Sequence, residues 1–295
     1  MKVSVIIPAR NERFLAPTVA DVLGQARGDV EVIVCLDGYW PDPPLPADPR
    51  LRIIHRGDAV GMRRAINAAA AVATGAYLMK LDGHCKLAEG YDVALAAACD
   101  GNWIVVPRRH ALIPETWSID ESRPGKYPVD AHYLSNPIER PDDPTCGLHG
   151  TVWTQRRDAR RDVLLDEEMS SQGSCWFMSR GHWARLGPMD QDLYGPFVSE
   201  FQELGLKTWL GGGRVMVNKA TYYAHLYKGR KYGRGYALGP HEFSQGPAVT
   251  AYWMLDQWAD RVHDLRWLVD RFWPVPGWGD DPGHVFAEFR QRRAA

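Results

Sequence analysis

Residues 3–38 read VSVIIPARNERFLAPTVADVLGQARGDVEVIVCLDG, and two kinds of segment alternate within them. Residues 3–9 are a β-branched run closed by proline, which is typical of a buried strand. Residues 11–26 carry apolar side chains at helical spacing, and residues 29–38 are a second apolar run that includes Asp37 near its end. A strand, a helix and a second strand in this order predict a parallel sheet covered by helices.

The same alternation continues through the first third of the chain. Apolar runs predict three more strands, at residues 51–56, 76–83 and 103–109. Helical spacing of apolar residues predicts helices at residues 60–74 and 91–100. We therefore expect an α/β fold with a mainly parallel sheet flanked by helices, in which ligands collect at the carboxyl ends of the strands.

The rest of the chain departs from this alternation. Residues 110–172 mix proline, aspartate, histidine and arginine with little periodicity, which predicts an irregular insertion. Two amphipathic helices are predicted near the C-terminus, at residues 248–262 and 264–273. We therefore expect one domain over residues 1–228 that contains the insertion. A glycine-rich lid loop and a helical C-terminal extension would follow over residues 229–295.

Bulk composition limits the function classes that fit this chain. Of its 295 residues 45% are hydrophobic and the formal net charge is −1. A sizeable core is therefore expected, and a broad attraction to nucleic acid or anionic lipid is not. The five cysteines contain no CxxC pair, which argues against a structural zinc site and favours reduced thiols. No apolar stretch approaches the roughly 20 residues that cross a bilayer, so we expect a cytoplasmic protein.

Residues 78–86, LMKLDGHCK, suggest a metal site at a strand end. On an extended segment the side chains of Asp82 and His84 point the same way, so both can converge on one ion. Taken alone, this stretch is explained better by an ordinary capping aspartate beside a loop histidine. His225 follows the predicted strand material that starts at residue 214, and by itself it would be a structural histidine.

Four motifs occur in an order that adds to this interpretation: IIPARNE, LDGHC, SEFQELGLKTWLGGG and YYAHLYKG. Because these motifs occur in this order, the chain resembles GT-A nucleotide-sugar glycosyltransferases. It is similar to the large inverting family 2 and, in its metal and acidic motifs, to the polypeptide N-acetylgalactosaminyltransferases. The resemblance covers residues 1–110 and 170–230. It implies a GT-A, Rossmann-like fold and metal-dependent transfer of a sugar from a UDP-sugar.

The resemblance also implies a role for each residue that matches a motif. It makes Asp82, His84 and His225 ligands of a divalent cation, Mn²⁺ or else Mg²⁺, that neutralises the diphosphate leaving group. The composition of the loop after His225 points separately to a lid over the diphosphate, since its glycines supply a hinge and cations such as Lys228 and Arg230 meet the phosphates. The nucleotide and the donor sugar would lie against residues of the strand-end loops, the second predicted helix and the segment before residue 177, namely Pro8, Ala9, Arg10, Glu12, Asp37, Arg64, Gly173, Ser174 and Trp176.

Several of these residues have a simpler explanation from the sequence alone. Asp37 precedes a glycine and is typical of a turn, and Glu12 fits the first turn of a helix. Arg64 suits a solvated helix face. Trp176 suits the core as well as a sugar-stacking position, and the loop that carries Arg230 suits an exposed segment without a role.

Glu200 is the candidate catalytic residue. In the inverting enzymes that the chain resembles, the matching acid removes the proton of the acceptor, and in the retaining enzymes it holds the sugar. Asp190 and Asp192 are weaker candidates for the base. Glu203 lies one helical turn after Glu200, and we interpret it as a solvated helix residue.

The predicted function is therefore metal-dependent transfer of a sugar from a UDP-sugar, inverting with Glu200 as base. The alternatives are a retaining glycosyltransferase of the same fold, a nucleotidyltransferase and a non-catalytic nucleotide-sugar-binding protein. The acceptor is open between saccharide, protein, lipid carrier, small molecule and DNA with hydroxylated bases. Six arginines of residues 108–161 would suit an anionic acceptor: Arg108, Arg109, Arg156, Arg157, Arg160 and Arg161.

Overall fold

The computed structural model describes residues 1–140, 143, 145–239 and 245–294. The strands, in chain order, are β1 (Val3–Ala9), β2 (Val30–Asp37), β3 (Leu51–Arg56), β4 (Tyr77–Leu81), β5 (Cys85–Leu87), β6 (Trp103–Ile113), β7 (Ser118–Ile119), β8 (His132–Leu134), β9 (Gly150–Val152), β10 (Leu165–Glu167), β11 (Cys175–Ser179) and β12 (Arg214–His225).

The helices are α1 (Leu15–Gln25), α2 (Met62–Ala71), α3 (Tyr91–Ala98), α4 (Thr154–Ala159), α5 (Arg180–Leu186), α6 (Gln191–Tyr194), α7 (Glu200–Leu210), α8 (Gly229–Tyr232), α9 (Gly246–Met254), α10 (Leu265–Arg271) and α11 (Pro282–Ala294). A short 3₁₀ turn covers Pro137–Glu139.

One large sheet forms the centre of the fold, in the order β10-β12-β6-β11-β4-β1-β2-β3. β1 pairs in parallel with β2 and β4, and β2 pairs in parallel with β3. β11 runs antiparallel to both β4 and β6, whereas β6 and β12 are parallel. The predicted α/β fold is therefore confirmed, with a mixed sheet in which one half is purely parallel.

This strand order brings distant parts of the sequence to one edge. Because β11 is antiparallel to both of its neighbours, β4, β6 and β12 must all point the same way. The carboxyl ends of β1, β2, β4 and β12 consequently lie on the same edge of the sheet, here called the carboxyl edge. β1 and β2 are buried almost throughout because helices cover both faces of the sheet.

The insertion is more ordered than the sequence predicts. β6 continues to Ile113, β8 pairs with β9 as a small separate sheet, and β10 joins the edge of the main sheet through β12. The expectation of an irregular segment was wrong for these stretches. Strands of three residues are too short to show the alternation of apolar and polar side chains that identifies a strand.

The C-terminal segment is helical, as predicted, although its boundaries differ. α9 ends at Met254, and α11 is a helix that the sequence analysis missed. The Trp278 indole Nε1 donates a buried hydrogen bond of 2.7 Å to the Leu134 carbonyl, which joins this segment to the insertion. In the described part of the chain, no helix combines the length and the apolar character that crossing a bilayer requires.

Candidate functional site

A cavity of about 1000 Å³ opens at the carboxyl edge of the sheet. Its lining comes from several segments of the chain. These include the loop after β1, the start of α2, the segments that follow β4 and β12, and residues within 145–150, 171–174 and 196–202. Most of the predicted site residues are therefore brought together at one place.

Asp82, His84 and His225 meet at the floor of this cavity. The Asp82 Oδ2 atom lies 3.8 Å from His84 Nε2 and 3.3 Å from His225 Nε2. The pairing of β12 with β5 explains the convergence, because it sets His225 opposite Cys85, the residue after His84. Residues separated by about 140 positions in the sequence thus form one cluster.

The chemistry of this cluster fits a divalent cation. One ligand atom from each side chain can be chosen so that all three lie within 4.8 Å of one another. The His225 Nε2 atom is buried, and although Asp82 Oδ2 lies 3.3 Å away, the geometry makes no hydrogen bond between them or with another described residue. Burial lowers the pKa of His225 to about 4, against the opposing pull of Asp82, so its imidazole is neutral and offers a lone pair. A carboxylate oxygen and two neutral imidazole nitrogens are ligands that Mn²⁺ accepts.

A second carboxylate fixes the orientation of His84. His84 Nδ1 donates to Glu12 Oε2 at 2.9 Å, which directs Nε2 towards Asp82. Lys228 also pairs with Glu12 Oε2. Burial acts to raise the pKa of Glu12, but its contacts with His84 and Lys228 outweigh burial and lower the pKa below its ordinary value, so Glu12 stays ionised. This arrangement matches the outer-shell carboxylates that orient metal-bound histidines in proteins.

Lys80 is a site residue that the sequence analysis missed. Its Nζ atom donates to Asp82 Oδ1 at 2.6 Å, to Glu200 Oε2 at 3.0 Å and to the Gly173 carbonyl at 2.5 Å. The side chain is only 1% exposed, and Asp82 and Glu200 raise its pKa above the ordinary value despite the burial. One signal was available, since a lysine interrupts an apolar strand two residues before Asp82 and points to the same face.

Glu200, the first residue of α7, lines the cavity beside Lys80. Its other oxygen, Oε1, accepts a 2.6 Å hydrogen bond from the indole Nε1 of Trp176. Burial and the nearby Asp82 raise the pKa of Glu200, while Lys80 and Trp176 oppose that shift. Gly173 makes this approach feasible, because a Cβ atom there would lie 2.7 Å from Glu200 Oε2.

Trp176 itself is fully buried and does not line the cavity. Its predicted contact with a sugar face therefore has no support in the structure, whereas its contact with Glu200 is direct. Ser174 does line the cavity, and its hydroxyl hydrogen-bonds Tyr223 at 2.8 Å. The two remaining candidates for the base, Asp190 and Asp192, are exposed and lie outside the cavity lining.

The interpretation of Glu203 as a solvated helix residue was wrong. Its side chain is fully buried and forms an ion pair with the equally buried Arg63. Arg63 Nη2 also donates to the Val198 carbonyl at 2.6 Å, which anchors the segment just before Glu200. Arg64, by contrast, is exposed and does not line the cavity. Which of two adjacent arginines faces inward depends on the phase of the helix, which the sequence did not fix.

The residues predicted to bind the nucleotide include the end of β1 and Asp37, and both line the cavity. Pro8, Ala9 and Arg10 line the cavity where β1 ends. Asp37 lines it as well, but both of its oxygens accept hydrogen bonds from backbone N–H groups, those of Val60 at 2.8 Å and Gly61 at 3.0 Å. Asp37 therefore braces the start of α2 in addition to any contact with a ligand.

The predicted lid loop is only partly described, since residues 240–244 lie outside the described part of the chain. Within that part, Lys228 lines the cavity and Arg230 is exposed outside it. Gly235 packs directly against Asn11, whose side chain donates to the Gly235 carbonyl at 2.9 Å. The loop thus covers the end of the cavity that β1 forms.

Comparison with known proteins agrees with this geometry. The family model described as "Glycosyl transferase family 2" matches residues 4–181. "Putative polypeptide N-acetylgalactosaminyltransferase 13" of Drosophila melanogaster is 25% identical over 260 residues, which are 77% of this chain and 42% of that protein. "Probable N-acetylgalactosaminyltransferase 8" of Caenorhabditis elegans is 26% identical over 175 residues, which are 58% of this chain and 38% of that protein. The chain thus spans about two fifths of the length of these relatives.

Two solved structures share the fold. The crystal structure of GalNAc-T7 with UDP, GalNAc and Mn²⁺ superposes with a TM-score of 0.65 at 17% identity, covering 87% of this chain and 48% of that chain. The crystal structure of residues 1–349 of S. aureus TarS in complex with UDP-GlcNAc gives a TM-score of 0.51 at 14% identity, covering 87% and 67%. These findings disfavour a nucleotidyltransferase or a non-catalytic binding protein. Because the family model matches more than half of the sequence, the chain belongs to Glycosyl transferase family 2.

Proposed function

We propose that this glycosyltransferase transfers a sugar from a UDP-sugar with the help of a divalent cation. The observation that carries the proposal is the cluster of Asp82, His84 and His225 in a cavity that the strand-end loops line. Glu12 supports this cluster through its contact with His84. Similar proteins support the choice of ligands, since one structure contains UDP and Mn²⁺ and another contains UDP-GlcNAc.

Asp82, His84 and His225 would hold the ion, preferably Mn²⁺ and otherwise Mg²⁺. When bound, the cation supplies positive charge that stabilises the nucleoside diphosphate as a leaving group. Glu12 keeps His84 in the tautomer that presents Nε2 to the ion. Lys80 neutralises part of the negative charge of Asp82 and Glu200 and holds their carboxylates in fixed positions.

Glu200 is proposed as the general base of an inverting displacement. It lines the cavity close to Asp82, and its raised pKa makes it a stronger proton acceptor than an exposed carboxylate. One observation favours the retaining alternative, in which Glu200 holds the sugar. Both of its oxygens already accept hydrogen bonds, from Trp176 and from Lys80, and these contacts fix the carboxylate.

Release of UDP from candidate UDP-sugars tests the proposed function. The wild-type protein is expected to release UDP in the presence of Mn²⁺ and to lose this activity when EDTA removes the metal. Asp82→Ala should abolish the release, whereas His55→Ala, which changes an exposed histidine on β3, should leave it unchanged. Equal release with and without metal would contradict the metal dependence, and the absence of any binding of UDP would contradict the donor.

Glu12→Gln tests the support behind the metal site. The change removes the negative charge that holds His84 and Lys228, so we expect the affinity for Mn²⁺ in the presence of UDP to fall by about 10–100-fold. Calorimetric titration with Mn²⁺ measures this affinity directly. Glu89→Gln, which alters an exposed carboxylate paired with Arg27, is the matched control and should bind Mn²⁺ like the wild type. Unchanged affinity in Glu12→Gln would show that the Glu12–His84 contact does not orient a ligand.

Asp37→Ala tests the proposed nucleoside end of the cavity. Loss of this carboxylate removes the hydrogen bonds to Val60 and Gly61 and any contact with uridine, so UDP should bind more weakly. Asp58→Ala removes an exposed carboxylate from the loop that carries Val60 and Gly61, and it serves as the control. Calorimetry with UDP, together with a thermal melt, separates loss of binding from loss of folding. Wild-type affinity for UDP in Asp37→Ala would reduce Asp37 to a structural brace.

A further inference from the structure

Charge is distributed unevenly around the cavity. Its lining includes four cationic side chains, Arg10, Lys80, Lys228 and Arg234, all from the strand-end segments and the loop after β12. The side contributed by the insertion and α7 is different. We call it the insertion wall and define it by six lining residues, Thr145, His149, Gly150, Ser171, Gln172 and Gln202. These residues offer hydroxyl, amide and imidazole groups but no lysine or arginine.

A fixed aspartate–histidine pair stands at this wall. His149 Nε2 lies 2.8 Å from Asp143 Oδ2 and 3.2 Å from the Thr145 hydroxyl. Burial raises the pKa of Asp143, but hydrogen bonds from Thr145 and His149 lower it to about 2, so this carboxylate is ionised. Because a carboxylate only accepts, Nε2 carries the proton that faces Asp143. Nδ1, the other ring nitrogen, has no hydrogen-bond partner among the described residues, and His149 lines the cavity.

Hydrogen bonds join the wall to the segment just before Glu200. The Ser199 hydroxyl donates to the Thr145 carbonyl at 2.9 Å, and Ser199 immediately precedes Glu200. The backbone N–H of His149 donates to the Ser135 hydroxyl at 2.7 Å. Gly150 permits close packing, because a Cβ atom there would lie 2.5 Å from the Ser171 carbonyl. These contacts hold His149 in the cavity that Glu200 also lines.

The arginines of the insertion do not supply a basic surface to this wall. Arg108 pairs with Asp130, Arg157 with Asp158 and Arg160 with Asp166, at distances of 2.7, 2.8 and 2.7 Å; Arg161 lies 3.8 Å from Asp162.

The two other arginines are used inside the protein. Arg109 is buried and donates to Gln172, and Arg156 lies over the rings of Trp153 and Phe272. An anionic acceptor such as DNA would need uncompensated positive charge near its phosphates. Five of the six arginines considered from the sequence are paired or internally packed, and Arg161 is exposed outside the cavity lining, so these residues do not favour an acceptor of that class at the wall.

We propose that the insertion wall is the acceptor subsite, and that it takes an uncharged, hydroxyl-bearing acceptor, a saccharide or another polyol. The proposal rests on the proposed function of the donor side. His149 Nδ1 hydrogen-bonds an acceptor hydroxyl, and the neighbouring amides and hydroxyls bind further hydroxyl groups. A hydroxyl both donates and accepts, which suits these mixed polar groups, whereas phosphate and carboxylate groups would need cationic partners that the six wall residues do not supply.

The test measures UDP release in the presence of Mn²⁺ and a UDP-sugar, with and without added acceptors. One set of probes contains neutral mono- and disaccharides and polyols, and the other contains sugar phosphates and DNA with hydroxymethylated bases. We expect members of the neutral set to raise UDP release above the acceptor-free rate. His149→Ala should then raise the KM for the neutral acceptor by about three- to tenfold, the loss expected for one hydrogen bond. Affinity for UDP should stay at the wild-type value.

A conservative variant separates an acceptor contact from a structural role. The amide oxygen of an asparagine can occupy nearly the position of Nδ1, so His149→Asn should recover part of the acceptor KM that His149→Ala loses. Thermal melts of both variants report on folding. Stimulation by the anionic set alone, with UDP still bound, would overturn this inference and leave the proposed function intact. An unchanged KM in a folded His149→Ala would also overturn it. Absence of UDP binding by the wild type would overturn both proposals.

Discussion

Lys80→Met is expected to lower the free energy of unfolding by about 3–5 kcal/mol, because it leaves the buried carboxylate of Glu200 and the partly buried carboxylate of Asp82 without their shared cation. Lys80 is the buried link between Asp82 and Glu200, which it contacts at 2.6 and 3.0 Å. Methionine keeps a similar length and removes only the charge and the hydrogen bonds. Chemical denaturation followed by circular dichroism measures the loss.

Two further variants give this prediction its controls. Lys231→Met removes an exposed lysine that pairs with the exposed Glu115, so its effect should stay within about 0–1 kcal/mol. Adding Glu200→Gln to Lys80→Met removes one of the two uncompensated carboxylates, and the double variant should recover part of the lost stability. Wild-type stability in Lys80→Met would show that Lys80 does not balance these carboxylates.

Glu200→Gln is expected to lower kcat by about 10²–10⁴-fold while leaving donor affinity close to the wild type. The change keeps the shape of the side chain, and the amide oxygen still accepts a hydrogen bond, but the group no longer accepts a proton. Steady-state kinetics with a responsive acceptor, combined with calorimetry for UDP-sugar binding, measures both quantities. Glu203 is not a suitable control, because it is buried in its pair with Arg63; the exposed Glu288 at the C-terminal end is suitable.

The stereochemistry of the product decides between the two proposed roles of Glu200. An inverted anomeric configuration, read by NMR from the anomeric coupling constant, agrees with a general base. A retained configuration would rule out that role. In that case Glu200→Gln should weaken the binding of the donor as well, because the carboxylate would hold the sugar.

The sequence was sufficient for the parts of this fold that repeat a regular pattern. The apolar runs that end at Ala9 and Asp37 predicted β1 and β2. Asp82 directly follows the apolar run of β4, and this position predicted that it would lie at the edge of the sheet where ligands bind. The resemblance to glycosyltransferases then joined His225 to Asp82 across about 140 residues. The structure places them 3.3 Å apart because β12 pairs with β5.

Other features depend on contacts that no local pattern encodes. Lys80 was overlooked because a lysine in an apolar strand becomes informative only when its two carboxylate partners are known. Glu203 was misinterpreted because its buried partner, Arg63, is 140 residues away on another helix. The pair of Asp143 and His149 lies in a segment without periodicity, where the sequence predicted only an irregular insertion.

A crystal structure with Mn²⁺ and UDP tests the central claim most directly. The anomalous signal of manganese should lie among Asp82, His84 and His225, with each ligand atom within about 2.0–2.4 Å of the ion. The diphosphate should contact the same ion, and the uridine should lie towards Pro8 and Asp37. An ion bound at another position, or UDP bound in this cavity with no ion beside Asp82, would contradict the account.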